Sequence, residues 1–257
     1  MAEFLIEKIQ GFLFDLNGVL HIENSLIPGA DKTIQCLKEK NIPYRFLTNT
    51  STKSTETLYR KLNSMGLSVE KSDIFSSPRA TLAYLKKLGK PRCLLVLAED
   101  VKKDFEEFPT SDVAPDFIVI GDIGEAWNYA LLNKIFRMVM SGAQIIALHK
   151  DKYWQVEDGL KMDIGAFVTG LEYSTGKQAI IMGKPSLSYF NMAIQDIGLK
   201  SEEIAMVGDD IEIDIGGAKR AGLKTILVKT GKYRESLVAS SGILPDLILP
   251  CAADIFR

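Results

Sequence analysis

Short apolar runs alternate with amphipathic stretches along the whole chain. The runs Gly11–Phe14, Tyr44–Leu47, Leu94–Leu97, Phe117–Ile120, Ile145–Leu148, Ile204–Val207 and Thr225–Val228 are each bounded by turn or polar residues. They are too continuous for strands with one wet face, and they predict strands covered on both sides. Helices fill the intervals. After the cluster Thr50–Ser54, which can cap a helix, Leu58, Leu62 and Met65 fall on one helical face and Gly66 stops it. Tyr129, Leu132, Phe136 and Val139 mark a second stripe ended by Gly142; Phe190, Ile194 and Ile197 mark a third, after Ser186, ended by Gly198. Such alternation predicts an α/β protein with parallel sheets and right-handed crossovers.

Composition narrows the class. The 257 residues allow one large domain or two modest ones, and 46% hydrophobic with 25% charged residues excludes a disordered chain. With 31 Lys and Arg against 33 Asp and Glu, the formal charge of −2 offers no basic footprint for nucleic acid or a membrane surface. No apolar run approaches the roughly 18–20 residues of a membrane span. The opening MAEFLIEKIQ carries Glu3 and Glu7 inside its apolar stretch and does not read as a signal peptide. Cys36, Cys93 and Cys251 have neither a paired nor a metal-like spacing, which fits a reducing compartment, and the expectation is a cytoplasmic protein.

Four segments carry candidate chemistry. FLFDLNGVL (12–20) ends an apolar strand in Asp15 and continues into Asn17-Gly18. Alone, Asn-Gly between apolar runs signals a hairpin; at the carboxyl end of a parallel strand, Asp15 would instead sit where open α/β sheets gather ligands. RFLTNT (45–50) runs a strand into Thr48 and Asn49, which either hydrogen-bond an anion or begin the next turn. MGKPS (182–186) sets Lys184 before a helix, as a solvated charge or a buried one. MVGDDIEIDIGGA (206–218) delivers Asp209, Asp210 and Asp214 after Gly208. Two adjacent acids can cap a helix, but several carboxylates together are unfavourable unless a cation or proton offsets them.

In their order FDLNG, LTN, GKP and GDDIEID, these segments resemble the haloacid dehalogenase superfamily of phosphotransferases over essentially the whole chain. The segment 158–190 is similar throughout to the subgroup around pyridoxal phosphate phosphatase and the phospholysine phosphohistidine inorganic pyrophosphate phosphatase. The resemblance implies a Rossmann-like parallel-sheet core, residues 1–78 and 182–257, with an inserted α/β cap domain, residues 79–181. It implies Asp15 as nucleophile forming an aspartyl-phosphate, and Mg²⁺ held by Asp15, the carbonyl of Asn17 and Asp209. Asn17, Thr48 and Asn49 would meet the phosphate, and Lys184 would neutralise its charge. Asp210 and Asp214 would orient metal waters or Lys184. It also implies a possible homodimer through the cap.

Spacing agrees with an insertion. Only 30 residues separate Asn17 from Thr48, room for a short flap and a helix, whereas 134 separate Asn49 from Lys184. A cap would exclude water and supply substrate contacts, with candidates in His149–Gly165 including Tyr153, Trp154 and Asp163. Ordinary packing is the plainer reading of Tyr153 and Trp154. His149 has no partner spacing for a metal and reads as structural or as a cap contact.

One residue departs from the pattern. Most phosphatases of this superfamily carry an acid/base aspartate where this chain has Asn17. The expected function is a Mg²⁺-dependent phosphohydrolase acting on a small phosphorylated metabolite, pyrophosphate or a phosphoramidate. The alternatives are a phospho-ligand-binding protein with little turnover and, against the retained GDD at 208–210, a dehalogenase.

Overall fold

A computed structural model of the chain describes residue 6 and residues 8–156 and 159–256. Parts of the N-terminal stretch and of the candidate stretch His149–Gly165, namely residues 1–5, 7, 157 and 158, lie outside the described residues. The chain divides into two compact units. The first holds the residues up to Thr48, Leu58–Phe75 and those from Lys184 onward; the second holds Asn49–Thr57 and Ser76–Gly183.

The first unit is built on a six-stranded sheet. Its strands lie in the order Leu247–Leu249, Lys224–Val228, Ile204–Gly208, Gly11–Asp15, Tyr44–Thr48 and Ile74–Ser76. Parallel ladders join the first five of these in turn. Phe12, Phe14, Phe46, Val207 and Ile226 pack on one face, while Leu13, Leu47, Met206 and Leu227 are buried between them along the strands. Alternate side chains point to opposite faces, so both faces are covered, as the continuous apolar runs predict. From Gly11–Asp15 the chain moves to one side first and later returns to the other. The carboxyl ends of Gly11–Asp15 and Ile204–Gly208 therefore form the topological switch point, where open α/β sheets bind ligands.

Local chemistry sets the helix ends. Ser54 Oγ accepts from the Thr57 N–H at 3.2 Å and starts the helix Thr55–Ser64. The helix Leu187–Ile197 ends at Gly198, which takes φ +78. Between Asn17 and the helix Ala30–Glu39 lies a two-stranded ribbon, His21–Ile22 with Ser25–Leu26.

The second unit has its own four-stranded parallel sheet, ordered Ile180–Ile181, Gln144–Ala147, Phe117–Ile120 and Cys93–Val96. Ile118, Ile120, Ile145, Ala147 and Val168 form its core. Two strands start one residue earlier than hydropathy predicts, at Cys93 and Gln144, because ladder bonds and not side-chain polarity set strand ends. An antiparallel hairpin, Tyr153–Val156 with Gly159–Met162, precedes the helix Gly165–Thr175. Among the described residues no helix is long and apolar enough to cross a membrane.

Candidate active site

Three strand ends deliver the polar residues of the first unit. Asp15 closes Gly11–Asp15, Thr48 closes Tyr44–Thr48, and Asp209 follows Gly208. The turn Ile211–Gly216 then carries Asp214 back beneath them. One carboxylate oxygen from each of Asp15, Asp209 and Asp214 lies within 4.8 Å of the others.

Lys184 is buried among them. Its Nζ donates to Asp15 Oδ1 at 2.6 Å and to Asp214 Oδ1 at 2.7 Å. Burial alone would lower its pKa, but the two carboxylates outweigh that and hold the ammonium charged. The solvated-lysine reading of GKP is therefore excluded. Asp214 is fully committed: its second oxygen accepts the N–H groups of Asp209 and Asp210, both at 3.2 Å. It fixes Lys184 and the turn together.

Asp210 takes the helix-capping role. Its Oδ1 accepts from the N–H groups of Glu212 and Ile213 at 3.0 Å, and its Oδ2 lies 3.7 Å from Lys232 Nζ. Asp209 is almost wholly buried, and its carboxyl pKa is pushed up to about 8, by burial first and then by Asp15 and Asp214. Its Oδ2 accepts the Lys232 N–H at 2.7 Å. Gly18 and Gly231 enclose that oxygen. A Cβ on either would fall 2.0 Å from it, and both take positive φ, +90 and +56. Thr230 Oγ1 also donates to the Gly18 carbonyl, fastening the two loops to each other.

This clamp was not visible in the sequence, where Thr230-Gly231-Lys232 reads as an ordinary turn. Asn17 follows the nucleophile strand and bridges to His21, and Gly18 N–H donates to the His21 carbonyl at 2.7 Å. His21 is buried, and its pKa is lowered to about 4 by burial and by Lys61, so its imidazole is neutral at pH 7. Thr48 is buried, with its carbonyl accepting from Tyr189 Oη at 3.4 Å.

Asn49 groups with the second unit, where its amide donates to Asp151 Oδ2 at 3.2 Å. Tyr153 and Trp154 are exposed, 57% and 41%, so the packing reading does not hold for them within that unit. His149 is buried with Ser51 Oγ 3.0 Å from Nε2, and the fold brings Asp151 and Asp163 to it.

A parallel sheet that gathers three carboxylates and a buried lysine at its switch point defines an α/β enzyme core suited to anionic substrates. A family model described as haloacid dehalogenase-like hydrolase matches residues 12–109, and one described as HAD-hydrolase-like matches residues 181–255. Human haloacid dehalogenase-like hydrolase domain-containing protein 2 is 38% identical over 228 residues, covering 89% of this chain and 87% of its own. The human phospholysine phosphohistidine inorganic pyrophosphate phosphatase is 34% identical over 234 residues, covering 89% and 86%. A 4-nitrophenylphosphatase from Thermotoga maritima superposes with a TM-score of 0.91 at 30% identity, over 98% of this chain and 97% of its own. The chain belongs to the haloacid dehalogenase-like hydrolase family and is an enzyme of its phosphatase class.

Proposed function

We propose that the chain is a Mg²⁺-dependent phosphohydrolase that works through an aspartyl-phosphate on Asp15. Its substrate would be a small phosphorylated metabolite, pyrophosphate or a phosphoramidate. The observation that carries this reading is the buried Lys184 bridging Asp15 and Asp214 beside Asp209.

The residues fit a hard divalent cation. The donor set is all oxygen, and three carboxylates against one ammonium leave two negative charges uncompensated. Lys184 occupies Asp15 Oδ1 and the Lys232 N–H occupies Asp209 Oδ2. One oxygen of each remains without a protein donor among the described residues. Asp15 and Asp209 would hold the ion, with the Asn17 carbonyl as third protein ligand. Bound there, Mg²⁺ would supply charge neutralisation for the transferring phosphoryl group.

The chain's own groups do the rest. Asp15 attacks phosphorus in line while the P–O or P–N bond to the leaving group breaks, and water then releases phosphate from Asp15. Lys184 balances charge on the phosphoryl oxygens throughout and is kept in place by Asp214. Thr48 and Asn49 are the candidate phosphate contacts, and the second unit is read as the cap. Asn17 carries no labile proton, so leaving groups that depart without protonation suit this site best. Pyrophosphate and phosphoramidates are of that kind, and the phosphatase relative's name includes both phosphohistidine and pyrophosphate.

Asn17 also favours a second reading, a phospho-ligand-binding protein with little turnover. A phosphate-release screen with and without Mg²⁺, blanked with Asp15→Asn, separates the two. Mg²⁺-dependent release lost in a folded Asp15→Asn protein supports hydrolysis through Asp15. Binding of phosphorylated ligands without release favours the second reading, and activity near wild type in Asp15→Asn removes the covalent mechanism.

A further inference from the structure

We propose that His149, Asp151 and Asp163, in the second unit, form a separate site for a zinc-class divalent cation. The strand Gln144–Ala147 ends just before His149 and Asp151, and Asp163 arrives after the hairpin, at the start of the next helix. One imidazole nitrogen and one oxygen of each carboxylate lie within 4.8 Å of one another. His149 and Asp163 are buried and Asp151 is partly exposed, which leaves the cluster an open side.

Charge argues for an occupant. Among the described residues neither Asp151 nor Asp163 pairs with a lysine or arginine, and the neighbouring Lys150 is taken by Glu172. At most one positive charge, on His149, would face two carboxylates, with Asp122 adding a third nearby. Burial raises the Asp163 carboxyl pKa, with His149 opposing and Asp151 and Asp122 reinforcing the rise. Such a cluster needs a further cation or a proton.

Distance favours the cation. Asp151 Oδ2 stands 3.6 Å from His149 Nδ1, and Asp163 Oδ1 stands 3.8 Å from Nε2. Charge-assisted N–H···O bonds would close to about 2.7–2.9 Å. Ligands sharing one tetrahedral zinc, each bonded at about 2.1 Å, stand roughly 3.4 Å apart.

The ring is also oriented for ligation. The Asp151 N–H points at Nδ1 from 3.5 Å, which assigns the ring proton to Nε2, and Nε2 then donates to Ser51 Oγ at 3.0 Å. Nδ1 and the Asp151 carboxylate thus face each other as two acceptors. Metal-bound histidines commonly anchor the other ring N–H in this way. One imidazole with two carboxylates suits zinc or manganese better than magnesium, which prefers oxygen alone. An ion here would tie Ser51, through His149, to the segments 148–151 and 163–165. Asn49, already bonded to Asp151, would be oriented by it.

The test is metal content, independent of phosphate release. Full-length Asp209→Ala protein, stripped with EDTA and dialysed against Zn²⁺, should retain one equivalent, and adding Asp163→Asn should weaken binding by roughly 10–100-fold. The chain has only two histidines, so imidazole NMR supplies a second readout on wild-type protein. Zn²⁺ should shift the His149 ring and leave His21 unmoved. Retention of no zinc by Asp209→Ala, zinc retained equally with Asp163→Asn, or a His149 ring indifferent to saturating Zn²⁺ would each overturn the site.

Discussion

Asp214 faces Lys184 across 2.7 Å, and both side chains are almost inaccessible to water. Removing one partner would leave the other buried and uncompensated, a loss of about 3–5 kcal/mol. Lys184→Met should therefore lower the urea midpoint steeply and abolish phosphate release. Lys184→Arg should fail as well, because a planar fork cannot take the place of a compact ammonium between two carboxylates. Asp214→Asn is the informative variant. It should keep the turn's hydrogen bonds yet release Lys184, so activity should fall further than stability. Near-normal turnover in Asp214→Asn would show that Asp15 alone positions the lysine.

Asp209 makes stability depend on pH in a metal-dependent way. Without metal its folded pKa of about 8 lies above the ordinary 3.8, so the folded state holds a proton that the unfolded chain has lost. That contribution is complete below the unfolded pKa and disappears as pH rises through the folded one. Stripped protein should lose stability between about pH 4 and pH 8, by up to about 1.4 kcal/mol per pH unit from this group. Mg²⁺ should displace the proton, so the Mg²⁺-induced rise in Tm should grow with pH over the same window. Scanning calorimetry of wild type and Asp209→Asn checks this. Asp214 and Asp163 shift in the same direction, so the difference between the two proteins is the quantity to read.

The glycine pair around Asp209 offers a steric test. A Cβ on Gly231 would lie 2.0 Å from Asp209 Oδ2 and 2.6 Å from the Gly18 Cα. Gly231→Ala should push the carboxylate aside and weaken Mg²⁺ binding by roughly 10–100-fold, as for other groups that orient metal ligands. Gly242→Ala is the control, since Gly242 has a similar φ of +67 but nothing within 4 Å of its added Cβ. It should lose only roughly 1–2 kcal/mol of stability from the left-handed backbone. Equal Mg²⁺ titrations for the two variants would mean that the clamp does not orient Asp209.

Much of this arrangement could be read in the chain because its chemistry sits at strand ends. Asp15, Thr48 and Asp209 each follow a continuous apolar run, so hydropathy locates the residues as it locates the strands. Asp214 was less legible. Only the turn at 211–216 shows that it fixes Lys184, a residue 30 positions earlier. The Thr230–Lys232 clamp was illegible, because backbone N–H donors and a bare Cα leave no side-chain signal. His149, Asp151 and Asp163 escaped for another reason. A hairpin separates the last from the first two, so no local spacing reveals the group.

Asn17 bears on which substrates the site can turn over. Asn17→Asp is close to isosteric, so the fold and the backbone carbonyl beside Asp15 should persist. If the asparagine has cost the site only a proton donor, the gain on restoring a carboxyl must depend on the leaving group. An alkyl phosphate leaves as a strongly basic alkoxide, and its phosphoryl transfer to Asp15 should rise toward roughly 10²-fold, the lower end of general-acid help. Pyrophosphate, or an aryl phosphate with an acidic phenol, should gain less. Release of phosphate from Asp15 should also quicken, because the new carboxylate can activate the attacking water. Single-turnover measurements separate these steps. The added negative charge would stand near Asp15, Asp209 and Asp214, so any repulsion of substrate should appear as weaker binding and not as slower chemistry. An equal gain for alkyl and aryl substrates in the phosphorylation step would show that Asn17 does not limit the reaction through a missing acid.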